Sequence, residues 1–429
     1  MLTLISFGGI TQIQYHMPAE HELHEGTWLQ WPHNNLYGPF YVDDVESSWI
    51  AMTDALQSGE KVHIVAVDSF ELERIQDVLS DEDIPFTNLG FYVYPNDDVW
   101  VRDNGPMFVL DTNDNLALLD WGFNGWGMDT PFSNCDAVPP LIGDDLGVPV
   151  VDLGAMVLEG GAIEQDGNGT LMATRSSVTH SSRNPDLTEA EIEDYFYQYM
   201  GITQVIWLDG VYGLELTDQH IDGFARFAND STIITMSPED LTYWEVTASD
   251  QEVLFNATDT AGVLYDFIIV PLTQNNVTTT YGTDLGYKGS YVNYYIANEV
   301  VLVPTYDDPS DAVAISILSS VHPDKTVVGI DVRNIYEYGG MVHCITQQQP
   351  FYVALNIEET TQSKVEIYPN PTNGFVQIPS SELEQVELTD LQGKEVAFTT
   401  LTNGINISNL PAGVYILSID QQQFKLVKE

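Results

Sequence analysis

The sequence predicts an α/β body followed by a small all-β domain. Three observations carry that reading. Between Tyr15 and about Glu358, short β-branched or aromatic runs alternate with amphipathic stretches; no glycine-rich phosphate loop interrupts them; and beyond a polar segment only strand-like runs remain. The 429 residues are 44% hydrophobic and 18% charged, enough apolar material for one large core and a smaller second one.

In the body, KVHIVAV, TLMAT, STIITM and EVVLVP read as strands. Leu187 to Met200 reads as a helix, with Pro185 just before it and Thr188 as its N-cap. The DGNG of residues 166 to 169 reads as a hairpin turn, and could also begin a calcium loop. The body is expected to run from 15 to 356, with IEETTQSK, residues 357 to 364, as a linker. In residues 365 to 429, VEIYPNPTNGFVQI, VELTDLQGKEVAF, INISNLPAGVYILSI and QFKLVKE are short strands divided by PNP, NG, QGK and PAG turns, the pattern of an antiparallel β-sandwich. Residues 1 to 14, MLTLISFGGITQIQ, read either as a secretory signal lacking its basic leading region or as an N-terminal strand. No run reaches the ~18 to 20 apolar residues a membrane span needs.

The charge of -51, from 64 acidic and 13 basic residues, argues against nucleic acid and anionic lipid as partners. Cationic or neutral substrates fit, and so does solubility in a salty or extracellular medium. Two cysteines make no disulfide framework, and a Cys135–Cys344 bridge would block a nucleophile at Cys344.

Cys344 follows a glycine pair and a histidine in GGMVHCITQQQP, where a thiol can be held as the nucleophilic thiolate; a buried inert cysteine is the alternative. Asp103, in WVRDNGPMFV, sits at the end of an apolar strand before a Gly-Pro turn, aimed into a cleft or capping the turn. Glu159 precedes the glycine pair of VLEGGAIEQ. In TDQHIDGFARF, His220 and Asp222 would share one face of a strand, suiting proton transfer beside a cation or a metal. With no HExxH, no CxxC and no histidine cluster, zinc hydrolysis is the weaker reading. A cysteine, a histidine and three carboxylates match attack on a delocalised cation, with carboxylates gripping a planar guanidinium through paired N–H bonds. Trp100, Trp121 and Trp126 could stack on such a cation, although their area favours burial. Asn293 in SYVNYY could contact substrate or end a strand.

MPAEHELHEGTWLQWPHN, WVRDNGP, DWGFNGWG, LEGGAIEQDGNGTLMAT, SSRNPDLTEAEIE, QHIDGFARF, SYVNYYIAN and HCITQQQP occur in that order. Together they resemble the agmatine deiminase and Porphyromonas-type peptidylarginine deiminase family, from about Tyr15 to Gln349. The resemblance implies a pentein fold, a five-bladed α/β propeller of ββαβ-type units around a central funnel. It also implies roles: Cys344 attacks the guanidinium carbon, Asp103 and Asp222 hold its nitrogens, His220 protonates departing ammonia and then activates water, and Glu159 orients or charges the histidine. A thiouronium intermediate and a ureido product follow, with no metal or organic cofactor. The C-terminal segments resemble the sorting domain of Bacteroidetes type IX secretion, which implies that export machinery as a partner and a secreted or surface location.

The leading expectation is agmatine hydrolysis to N-carbamoylputrescine and ammonia. A peptidylarginine deiminase is the alternative, and an inactive surface-binding protein the outsider. Leu216 stands where the family usually has an acid four residues before the histidine, Gln219 where it has glycine, and Met341 where a small or polar residue is common, which puts agmatine in doubt. DWGFNGWG offers no arginine to clamp a peptide carboxylate.

Overall fold

The computed structural model describes residues 15–352, 368–378, 386–390, 394, 396–401, 403–419 and 422–429. The expectations for residues 1 to 14 and for the linker lie outside them. The chain divides into two compact units, Met1–Ala354 and Leu355–Glu429.

Among the described residues, the first unit holds five sheets of three or four strands. Each repeats one scheme: an antiparallel pair, then a helical crossover to a parallel strand. The second sheet pairs Met107–Asp111 with Leu116–Gly122 and crosses through helix Val138–Leu146 to Val150–Val157. The third pairs Ile163–Gln165 with Thr170–Thr174 and crosses through Glu189–Met200 to Gln204–Leu208. The fourth pairs Ala225–Asn229 with Thr232–Thr235, followed by two short helices and Asp266–Ile269. The fifth pairs Tyr295–Ile296 with Val300–Thr305 and crosses through Asp311–Val321 to Thr326–Asp331.

The first sheet joins the two ends of the unit. His24–Gln30, Lys61–Ala66 and Leu89–Val93 are parallel across helices Tyr41–Leu56 and Ser69–Asp81, while the late strand Gln347–Pro350 lies antiparallel on His24–Gln30 with Gln347 opposite Trp28. Trp28 Nε1 donates to Gln349 Oε1 at 2.9 Å across that seam.

The central strands are apolar runs because both faces are covered. Leu29, Ile64 and Leu302 are fully buried with Trp49 and Met52 of the first crossover helix. Each such side chain contributes about 1.5–3 kcal/mol by leaving water. The helix expected over Leu187 to Met200 begins at Glu189, capped by Thr188 in a reciprocal capping box with Glu191. The DGNG segment is the turn between the paired strands of the third sheet: Asp166 accepts from the N–H groups of Asn168 and Thr170 at 2.8 and 2.9 Å, and from Tyr265 Oη at 2.8 Å.

In the second unit, two antiparallel three-stranded sheets share one apolar core. Phe375–Gln377, Gly404–Asn406 and Thr399–Leu401 form one; Val386–Asp390, Gly413–Ile419 and Gln422–Lys428 form the other. Val376, Leu388, Ile405 and Leu417 point into that core. No helix among the described residues is long and apolar enough to cross a membrane.

Candidate active site

Five segments deliver the site side chains, and all five occupy the same place in the repeat, the turn leading into the first strand of each antiparallel pair or, in the first sheet, into the closing strand. Asp103 lies in the one-turn helix Val101–Asn104, ahead of Met107–Asp111. Glu159 immediately precedes the turn Gly160–Ala162, ahead of Ile163–Gln165. His220 caps Ile221–Gly223, which contains Asp222, ahead of Ala225–Asn229. Asn293 comes just before Tyr295–Ile296, and Cys344 lies in His343–Ile345, before Gln347–Pro350. The expectation that His220 and Asp222 share a strand face, and that Asp103 ends a strand, is therefore corrected. The Asn-Gly-Pro and Asp-Gly pairs interrupt the extended pattern and leave a helical turn there instead.

The turns converge at Gly161. A Cβ built there would lie 2.7 Å from His220 Nδ1, 2.8 Å from Asp103 Oδ1 and 3.0 Å from Asp222 Oδ2. Only glycine lets three charged side chains meet so closely, which gives the glycine pair after Glu159 its physical reason.

Asp103 is buried and accepts from the Gly161 N–H and from Trp126 Nε1, each at 2.9 Å. Burial pushes its carboxyl up to about 6, helped by Glu159 and Asp222 and opposed by His220 and the indole N–H. Glu159 is held by Arg183, whose Nε donates to Oε1 at 2.8 Å, and its Oε2 lies 2.9 Å from His220 Nε2. Burial alone would lower the His220 pKa, but Asp103, the Glu159 hydrogen bond and charge, and Asp222 outweigh it and raise it to about 9. His220 is thus an imidazolium at neutral pH, a proton donor in place.

Asp222 lies 2.7 Å from His343 Nδ1, and the other nitrogen of that ring is 2.8 Å from Glu20 Oε2. Burial raises the Asp222 pKa, but the bond and charge of His343 with the charges of His220 and Arg226 leave it below the usual carboxylate range. Glu20 is ion-paired with Arg226 and Arg102 at 2.8 and 3.3 Å. The Cys344 thiol, 3.5 Å from Asn293 Oδ1, has its pKa pushed far up by burial, Asp222 and Asp103. The thiol therefore rests protonated at neutral pH. Cys135 and Cys344 are both free.

Cys344, His220, Asp222 and Asn293 open onto a cleft of about 450 Å³, walled by Leu214 to Thr217, Tyr243, Trp244, Tyr287, Tyr336 and Met341. Trp100, Trp121 and Trp126, the candidates for stacking on a cation, are buried and are not among the residues that wall it. Trp121 is in a separate apolar core beside Tyr195. Trp100 packs its ring over Gly340, where a Cβ would come within 2.1 Å of it. Trp126 is buried and orients Asp103. Tryptophan area favours burial, and Trp100 and Trp126 pack behind the site through Gly340 and Asp103.

Sequence reasoning missed Arg183, His343, Glu20 and Trp244. A signal existed for Arg183: a chain with only 13 basic residues places one inside SSRNPDLT, where it also donates to Asp218 Oδ2 at 2.5 Å. His343 was read only as the neighbour of the cysteine.

The architecture is that of the pentein α/β class. The chain belongs to the Porphyromonas-type peptidyl-arginine deiminase family, whose profile matches residues 16–350. Residues 366–429 match the secretion system C-terminal sorting domain, which indicates export to the cell surface or secretion. The chain is 34% identical over 359 residues to an agmatine deiminase of Pseudomonas aeruginosa, covering 78% of this chain and 95% of that one. It superposes on the Enterococcus faecalis agmatine deiminase with a TM-score of 0.69 at 28% identity, covering 80% of this chain and 99% of the other. The C. jejuni agmatine deiminase shares the fold, with a TM-score of 0.67 at 23% identity and coverage of 80% and 97%.

Proposed function

We propose that this chain is an exported guanidino-group hydrolase. The carrying observation is the meeting of Asp103, His220 and Asp222 at the Gly161 backbone, with His220 and Asp222 lining the cleft that holds Cys344. Two carboxylates there suit the in-plane N–H groups of a guanidinium. The bound cation lowers the cost of forming the Cys344 thiolate, whose proton passes to solvent. The thiolate adds to the guanidinium carbon; the C–N bond then breaks and the departing nitrogen takes the His220 proton, leaving as ammonia. The now neutral His220 accepts a proton from water, whose oxygen adds to the thiouronium carbon. The C–S bond breaks and the hydroxyl proton passes to solvent, giving a ureido product and restoring the thiolate. Glu159, anchored by Arg183, keeps the imidazole oriented and charged.

Agmatine is the substrate named for the relatives, and the same chemistry serves the guanidinium of arginine in peptides. In this chain Leu216 lies on the cleft wall where the family's acid would face an amine. The test is ureido and ammonia release from agmatine, arginine and arginyl peptides, with the Cys344→Ala variant alongside. Product from the native chain, and none from a variant with unchanged thermal unfolding, supports the reading; full turnover by Cys344→Ala overturns it.

A further inference from the structure

The cleft carries a positive charge that guanidinium hydrolysis leaves unused. Lys288 is half-buried in its wall, alongside Leu216, Glu245 and Cys344. Its backbone is fixed on both sides: the N–H donates to Tyr243 Oη at 3.2 Å, and the carbonyl accepts from Tyr336 Oη at 2.8 Å. Its ammonium sits 5.6 Å from the centroid of the Tyr243 ring.

The surroundings make that ammonium unusual. Acidic residues outnumber basic ones 64 to 13, and every arginine in the described first unit is ion-paired. Lys61 faces Glu25, and Lys325 donates to two backbone carbonyls. Among the described cations of that unit, Lys288 has an aromatic face as its partner and no oxygen. Glu215 does not reach for it: its carboxylate accepts from the N–H groups of Thr217 and Gln219, each at 2.7 Å, and from Thr217 Oγ1 at 2.5 Å. Leu216 is apolar. Glu245 is exposed, with a carboxylate that makes no hydrogen bond among the described residues, so the cleft can also tolerate an ammonium beside the anion Lys288 would take.

We propose that Lys288 is a specificity-determining residue that receives a carboxylate on the substrate's tail, favouring guanidines that end in a carboxylate over otherwise equal ones that do not. The proposal rests on the deiminase reading above. The shared chemistry is a carboxylate a few bonds from the guanidinium, as in ω-guanidino acids, free arginine or arginine at a peptide C-terminus. It supplies the cation that DWGFNGWG lacks, from a different segment of the chain.

The test compares kcat/KM for 4-guanidinobutyrate, with an anionic tail, against butylguanidine, with a neutral one, in the native chain and in Lys288→Met and Lys288→Arg. A charge-assisted contact predicts a ratio of roughly ten or more in the native chain, collapsing toward one in Lys288→Met and largely kept in Lys288→Arg. A native ratio near one, or a ratio that Lys288→Met leaves unchanged, overturns the proposal while butylguanidine turnover still upholds the deiminase reading. Absence of ureido product from every guanidine overturns both. Free arginine against a dipeptide ending in arginine then tells an amino-acid substrate from a peptide C-terminus.

Discussion

Trp126→Phe removes one N–H from the catalytic cluster while keeping a ring in place, and its effect follows from the geometry. Asp103 has two donors, the Gly161 N–H and Trp126 Nε1, both at 2.9 Å. A hydrogen bond to a buried charge is worth about 1.5–3 kcal/mol, or ~1–2 pKa units. The native carboxyl, held at about 6, therefore moves to roughly 7–8 in the variant. The ionised fraction at pH 7 falls from roughly nine-tenths to between half and one-tenth. Because a guanidinium needs that carboxylate ionised, kcat/KM at pH 7 falls roughly two- to tenfold, and raising the pH recovers much of the loss. The assay is ureido production as a function of pH from about 5 to about 9, with thermal unfolding to register the smaller ring. The acid limb should move up by about one unit or more. An acid limb in the same place, in a folded variant, would refute the view that the indole keeps Asp103 charged.

Two further outcomes follow from the same cluster. Gly161→Ala drives a methyl to within 3.0 Å of His220, Asp103 and Asp222, so activity should drop by roughly a hundredfold or more while circular dichroism stays native; near-native turnover would mean the three side chains are not poised as described. The His220 pKa, about 9 when folded against about 6.5 when unfolded, gives stability that is fully present below about 6.5 and lost as pH rises through 9. That difference is worth up to ~3 kcal/mol. Denaturant midpoints should fall across that window in the native chain and change less in His220→Gln, and equal slopes would contradict the assignment.

Local chemistry was legible in the sequence, and long-range placement was not. The Thr188 cap and the TLMAT strand follow from neighbours in the chain, and both formed as expected. Cys344, His220, Asp222 and Asn293 could be singled out because thiol, imidazole, carboxylate and amide side chains beside turn residues are conspicuous. What no local pattern carries is that Asp103, Glu159, His220, Asn293 and Cys344 hold one equivalent position in successive sheets. The three tryptophans show the same limit: indole chemistry permits stacking on a cation, but only the packing of Trp100 over Gly340 and of Trp121 beside Tyr195 decides that they are covered. His343 is visible in the sequence only as the neighbour of Cys344, because its partners, Asp222 and Glu20, are 121 and 323 residues away.

The pairing of Gln347–Pro350 with His24–Gln30 imposes an order of events on the enzyme. Asp103, Glu159, His220 and Asp222 belong to turns earlier in the chain, whereas Cys344 sits three residues before the strand that fastens the last turn to the first sheet. Contacts separated by most of a chain form late and at an entropic cost. A polypeptide still being synthesised, or held open for export, would carry Asp103 and Asp222 without the Cys344 thiol set beside them. A cut or slip in that one short strand would have the same result. Closure of the fold thus sets the Cys344 thiol beside those carboxylates only once the two ends have met.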